Sequence, residues 1–200
     1  MIAIVDYEMG NLRSVQKAIN RLGHNCIISR EEKILNEAEK IILPGVGNFK
    51  VGMENLKKFG LIDLLNNLVN TKKIPVLGIC LGMQLMTSYS EEGECQGLNW
   101  VRAKTLRFAI DGLKVPHIGW NSINIKKNQS LFSEINSLDE FYFVHSYYVK
   151  CEISSDILFT SNYGITFDSG FLVDNIIGVQ FHPEKSHNSG LKVLNAFLNK

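Results

Sequence analysis

The sequence predicts one α/β domain: an open, mostly parallel sheet with helices on both faces and antiparallel strands added in its second half. Three observations carry that reading. Short apolar runs alternate with segments of helical spacing through the first hundred residues. Those runs end in loops rich in glycine, proline or acidic residues, the place where open α/β sheets bind ligands. Two hundred residues, 45% apolar and with a formal net charge of +1, are enough for one sizeable core. No repeat, low-complexity stretch or linker divides the chain, so a single domain over residues 1–200 is expected.

Taken in order, Ile2-Ala-Ile-Val5 fits a buried parallel strand. It enters the loop Asp6-Tyr-Glu-Met-Gly-Asn11, with Asn11 as a capping residue. Leu12, Val15, Ala18, Ile19 and Leu22 then follow helical spacing, and Gly23 is a stop. Cys26–Ile28 and Ile41–Leu43 read as strands, the latter meeting Pro44-Gly-Val-Gly47. Leu56, Phe59, Ile62, Leu65, Leu68 and Val69 mark one amphipathic helix. Ile74–Ile79 is a strand ending at Cys80, and 81–88 is helical. Beyond Glu91 strands dominate: 101–108, 121–125, 141–149, 157–160 and 176–181. Asn162-Tyr-Gly164 and Asp168-Ser-Gly170 read as turns, and 190–200 as a final helix.

Composition excludes several classes. Near-zero net charge, with lysine pairs scattered at 57–58, 72–73 and 126–127, gives no reason to expect nucleic acid or a membrane surface as partner. No stretch approaches the roughly 20 apolar residues of a membrane span, and the start lacks the basic and apolar regions of a signal peptide. Cys26, Cys80, Cys95 and Cys151 form no Cys-x-x-Cys pair. A reducing cytoplasm is therefore expected, with no disulfide framework, no metal and no organic cofactor. Cys26 and Cys151 read as inert core thiols and Cys95 as a loop residue.

Gly78-x-Cys80-x-Gly82 has the pattern of a nucleophile elbow, a tight strand-to-helix turn with small residues on either side. Such a turn aims free N–H groups of the new helix at the sulfur, where they favour thiolate and can hold an oxyanion. The alternative is a small buried hydrophobe at a strand end. About a hundred residues on, the run Ile176–Phe181 delivers His182-Pro183-Glu184. An imidazole can take the thiol proton and later protonate a leaving amine, and a carboxylate can hold the ring in the useful tautomer. Taken alone, His182 would more often be a satisfied structural histidine. His117, His145 and His187 compete as bases, and His187 reads as solvated.

Together, Gly-Ile-Cys-Leu-Gly-Met-Gln (78–84) and Phe-His-Pro-Glu (181–184) resemble the class I, or triad, glutamine amidotransferases. Within that class the chain is similar to the glutaminase subunits of imidazole glycerol phosphate synthase. That match is carried by Asp6–Leu12, Leu43–Gly47, Pro116–Asn121, Phe143–Tyr147 and Gly178–Ser186. The resemblance implies the class I amidotransferase fold and hydrolysis of L-glutamine through a Cys80 thioester, with His182 as acid–base and Glu184 as its orienter. It implies an oxyanion site at the Leu81 N–H and at an N–H of the Val46–Gly47 segment. It implies substrate binding by Gly45, Gln84, His145, Ser146 and Tyr147. It further implies low activity until a partner binds its own ligand.

That partner would be a (β/α)8 barrel cyclase forming a heterodimer, taking ammonia through its interior to make imidazole glycerol phosphate and the aminoimidazole carboxamide ribotide. Asn11, Trp120, Tyr142 and Lys185 would face it, although aromatic residues beside strands also serve as core. Glu8 departs from the resembled subunits, which carry a smaller residue there. Tyr148 and His187 are similar instead to paralogues found beside surface-sugar biosynthesis enzymes, where the ammonia would serve amidination of a sugar. A non-catalytic regulator and a cysteine peptidase or esterase on the same fold stay open as further readings.

Overall fold

The computed structural model describes residues 1–127 and 130–199. The first half comprises β1 (Ile2–Val5), α1 (Leu12–Arg21), β2 (Cys26–Ser29), α2 (Glu32–Asn36), β3 (Lys40–Gly45), α3 (Phe49–Lys58), α4 (Leu61–Asn66), β4 (Val76–Cys80) and α5 (Leu81–Leu85). The second half begins with β5 (Tyr89–Ser90), β6 (Cys95–Gln96), β7 (Ala103–Arg107), β8 (His117–Ser122), β9 (Asn124–Ile125) and β10 (Glu140–His145). It continues through β11 (Tyr147–Cys151), β12 (Ile157–Tyr163), β13 (Ile165–Val173) and β14 (Ile176–Val179) to α6 (His187–Leu198). Lys200, the last residue of the predicted final helix, lies outside the described residues.

The main sheet runs β2-β1-β3-β4-β14-β13-β11-β7-β5-β6, with β12 pairing β13 and β9. Its first five strands are mutually parallel, with Ile2 opposite Cys26 and Lys40, and Gly45 opposite Cys80. From β14 to β7 the main path is antiparallel, after which β5 joins β7 in parallel and β6 joins β5 antiparallel. Strands β8 and β10 form a separate antiparallel pair, with Trp120 opposite Tyr142 and His117 opposite His145.

Strand alternation divides the core in two. Ile2, Ile4, Ile42, Leu77 and Ile79 face a cluster completed by Val15 and Ile19 of α1 and Val193, Leu194 and Phe197 of α6. Ala3, Val5, Ile41, Leu43 and Val76 face the other, with Leu35, Phe49, Leu56, Leu61, Leu65 and Leu85 of α2 to α5. Helices thus cover both faces, which is why β1, β3 and β4 are apolar almost throughout.

Several local expectations are corrected. The single amphipathic helix is two: Gly60 takes a left-handed conformation (φ 67°) between α3 and α4, and a π-helical stretch follows over 67–71. The apolar spacing continued across a break that glycine makes cheap. Asn11 precedes α1, but its side chain makes no capping hydrogen bond. The helix after Cys80 stops at Leu85, and α6 starts three residues earlier than predicted. The run 141–149 is two strands in different sheets, broken at Ser146.

Asp168-Ser-Gly170 is no turn but the middle of β13, with Asp168 opposite both Val149 and Thr160. Asp168 is buried and accepts the Cys151 N–H at 2.8 Å, so the local turn preference yields to pairing on both sides. Cys95 lies in the short β6, and α2 carried no predicted element.

Candidate active site

Strand β4 is buried along its whole length and ends at the sulfur. Cys80 adopts φ 53° and ψ −108°, a conformation L-residues seldom take. The chain can reverse there because the residues two before and two after it are glycines. A Cβ at Gly82 would overlap the Leu43 carbonyl oxygen, and one at Gly78 would lie 2.7 Å from Met86 Cε and 2.8 Å from the Met83 N. Cys80 is 6% exposed, and its Sγ lies 3.9 Å from the Val144 carbonyl oxygen and 3.7 Å from Gln180 Nε2.

His182 arrives three residues beyond β14. Its N–H donates to the Tyr142 carbonyl (2.9 Å), and its own carbonyl accepts from Ser186 Oγ (2.6 Å), whose oxygen also receives the Tyr142 N–H (2.9 Å). The ring is therefore held from both sides of the backbone. Nδ1 pairs with Glu184 Oε1 at 2.9 Å, the two side chains being 1% and 2% exposed. Nε2 is buried with no conventional hydrogen-bond partner, and the Cys80 sulfur is the strongest charge acting on the ring. Burial alone would lower the His182 pKa. Negative charge on Cys80, reinforced by Glu184, outweighs it and pushes the value up to about 10. An imidazole so placed can take a thiol proton and later protonate a leaving amine.

A cleft of about 250 Å³ opens onto the sulfur. Val46, Gly47, Leu81, Gln84, His145, Ser146 and Tyr147 line it, so seven of the predicted oxyanion and substrate residues converge with Cys80. Gly45 is buried at the end of β3 beside Cys80 and does not reach the lining. Gln84 Nε2 donates to the Tyr147 carbonyl (3.0 Å) and to Gln180 Oε1 (3.1 Å). Glu92, Pro116 and Val144 line the cleft without a predicted role, the Glu92 carboxylate accepting the Phe49 N–H at 2.7 Å, and Gln180 meets Gln84 and the sulfur from outside that lining. Burial raises the Glu92 pKa, opposed by that N–H and by Asn48. Gln180 sits one residue before the predicted strand's end and could have been found by its two-residue offset from His182.

The rival bases are otherwise engaged. His117 Nδ1 and His145 Nε2 are 2.9 Å apart, and His145 Nδ1 meets the Tyr147 carbonyl at 2.8 Å. Since a carbonyl only accepts, Nδ1–H of His145 donates and Nε2 receives the His117 proton. Burial holds both rings neutral, with pKa values lowered to about 4 for His117 and about 3 for His145. His187 is exposed and stacks on Trp120, ring centres 5.1 Å apart and 9° from parallel. Trp120 is 45% exposed and meets Tyr142 edge-on, and Lys185 Nζ lies 5.8 Å over the Tyr142 ring. Asn11 is half-buried at the start of α1.

The family model for glutamine amidotransferase class-I matches residues 3–200. This chain belongs to that family. It is closely related to the HisH subunits of imidazole glycerol phosphate synthase. The subunit HisH 2 of Methanococcus maripaludis is 48% identical over 201 residues, covering 100% of each chain. HisH 1 of Campylobacter jejuni is 46% identical and covers 98% of each, and HisH 2 of Pseudomonas aeruginosa is 43% identical and covers 99% of this chain and 98% of its own. The fold is shared more widely. A crystal structure of a glutamine amidotransferase superposes with a TM-score of 0.74 at 18% identity, covering 100% of this chain and 98% of that one. The structure of PurLQS from Thermotoga maritima does so at 0.76 and 17%, covering 99% and 97%. This amidotransferase is therefore an enzyme on a single-domain α/β fold with a mixed sheet. Among its described residues no helix is long and apolar enough to cross a membrane.

Proposed function

We propose that this amidotransferase hydrolyses L-glutamine through a Cys80 thioester and passes ammonia to a (β/α)8 cyclase subunit in the cytoplasm, the two forming a heterodimer in histidine biosynthesis. The observation that carries the reading is the buried His182–Glu184 pair set against Cys80 at the floor of a substrate-sized cleft.

Glutamine's side-chain amide enters over Cys80. The sulfur attacks the amide carbon, and the oxyanion meets the Leu81 N–H at the start of α5 and an N–H from Val46 or Gly47. Such preorganised donors are each worth about 3–4 kcal/mol. Amide nitrogen leaves only when protonated, and imidazolium at His182 supplies that proton. Water then attacks the thioester, with His182 as base, and glutamate departs. Among the described residues Glu92 is the one carboxylate lining the cleft and suits the substrate ammonium, with Gln84 Oε1 as a second acceptor, while backbone N–H groups of 145–147 suit its carboxylate end. Ammonia must reach its acceptor without being protonated by bulk water, which is the reason for a docked partner.

The test is glutamate release with and without the cyclase and its ligand. The reading expects release that rises on adding both and disappears in Cys80→Ala. Full release by the isolated chain would reject the requirement for a partner.

A second acceptor is favoured by one observation: three of the relatives described above carry copy numbers in their names. A paralogue supplying ammonia for amidination of a surface sugar would keep the same Cys80 chemistry. Binding to each candidate barrel separates the two, and failure to bind the histidine cyclase rejects the first.

A further inference from the structure

The loop after β1 brings a phenol to the site from behind. Tyr7 is fully buried, and its hydroxyl donates to the Pro44 carbonyl at 2.7 Å. Pro44 leads directly into the segment whose Val46 and Gly47 line the cleft. The same hydroxyl closes off Gly45: a Cβ there would strike it, and would also stand 2.8 Å from Leu81 Cβ and 3.0 Å from the Gly82 N. Gly45 lies opposite Cys80 in the sheet register. Burial, and charge on Cys80, keep the phenol protonated and therefore a constant donor.

We propose that Tyr7 is a positioning residue for amide hydrolysis, its hydroxyl pinning the Pro44 carbonyl so that the Val46 and Gly47 peptides present their N–H groups to the cleft from a fixed base. The inference rests on the glutaminase reading above. A peptide unit is planar, so holding the Pro44 carbonyl also fixes the direction of the Gly45 N–H. Gly45 has no side chain to restrain the next peptide. The anchored plane is then a stop on that rotation from the N-terminal side, beside the pairing of Gly45 with Cys80 in the sheet. Without it, an oxyanion donor must be ordered during the reaction, and preorganisation is what makes such donors effective. On that reading the substrate's amino-acid end is held by Gln84, Glu92 and the 145–147 backbone rather than by the Pro44 peptide, so binding depends little on this anchor.

Tyr7→Phe removes one oxygen. Glutamate release is measured for wild type and variant, alone and with the cyclase and its ligand. Alkylation of Cys80 by iodoacetamide is followed in parallel: the sulfur displaces iodide and no oxyanion forms. The expected result is a kcat about 10-fold lower, a KM for glutamine within about twofold, and an unchanged alkylation rate. Incorporating 3-fluorotyrosine at position 7, which keeps the hydroxyl, is expected to restore kcat to within about twofold. An unchanged kcat in Tyr7→Phe would make the phenol mere packing and overturn the proposal. So would a parallel fall in alkylation, a matching rise in KM, or a variant that does not fold while the fluorotyrosine chain is no more active than wild type lacking Cys80. A wild-type complex releasing no glutamate would instead overturn the glutaminase reading itself.

Discussion

Cys80 holds a backbone conformation that L-residues seldom take. A non-glycine residue at φ 53° and ψ −108° costs on the order of 1–3 kcal/mol, and the surrounding glycines and buried strand hold it there. The benefit falls on His182, whose charged form is favoured by the sulfur and Glu184 together. Glu184→Gln keeps the shape but removes the charge and permits the wrong ring tautomer. We expect kcat to fall by a factor of about 10²–10⁴ with KM nearly unchanged, read from glutamate release at saturating glutamine; a loss under threefold would remove Glu184 from the mechanism. His117 and His145 give a second prediction, in stability. Both are held neutral in the fold, with pKa values of about 4 and about 3 against 6.5 unfolded. The unfolded chain therefore binds protons first as pH falls. Their contribution is intact above about pH 6.5 and erodes toward pH 4, by roughly 2 kcal/mol per ring at pH 5. Urea midpoints should drop between pH 7 and 5, and less steeply in His117→Gln; equal slopes would disprove the burial account. The meeting of Cys80, His182 and Glu184 was legible in the sequence because each is flagged by its own neighbours, glycines about Cys80 and the His-Pro-Glu step. Glu92 was not, because it belongs to a loop whose approach to the sulfur depends on how Phe49 and Asn48 receive it.

Among the elements, the elbow from β4 to α5 is the most tightly determined. Gly82 packs so close to β3 that any Cβ meets the Leu43 carbonyl oxygen, a backbone atom that cannot swing aside. Gly82→Ala must displace a strand buried on both faces. A loss of about 3 kcal/mol or more is expected, measured as a fall in the urea midpoint; a change under about 0.5 kcal/mol would show that α5 can shift freely. The parallel half of the sheet was readable because β1, β3 and β4 are short apolar runs closed by breakers, each buried on both faces. The antiparallel half was readable only in part. Strand β13 carries Asp168, Ser169 and Gly170, residues that signal turns in isolation. Neighbours on both sides satisfy them instead: Cys151 N–H for Asp168 and Ser161 Oγ for Ser169. The division at Ser146 was equally hidden, since Phe141 to Val149 is one apolar run by composition. Its consequence is functional, because the break turns β10 out of the main sheet and leaves Ser146 and Tyr147 facing the cleft.

Over the whole molecule, the separate β8–β10 pair ties the outer surface to the nucleophile. One of its faces exposes Ile118 and Trp120, opposite Val144 and Tyr142, and the Val144 carbonyl oxygen lies 3.9 Å from Cys80 Sγ. Lys185 over Tyr142 and His187 against Trp120 continue that face into one ridge of aromatic and cationic groups. Such a mixture, with an indole half exposed at its centre, suits a protein partner more than open water. Glu8 does not project freely beside it: Arg30 and Lys58 hold its carboxylate at 3.2 and 3.6 Å, and Arg30 in turn lies over Phe59. We therefore expect Trp120→Ala to weaken binding to the cyclase by about 10–100-fold, as loss of a central aromatic anchor does. The urea midpoint of the isolated chain should stay put, because the indole lies on the surface and only rings and a half-buried strand rest against it. Glutamate release at saturating cyclase should be retained, since no atom of Trp120 lines the cleft. Titration calorimetry at fixed ionic strength checks the first outcome. If affinity is unchanged while the fold is intact, the barrel docks elsewhere.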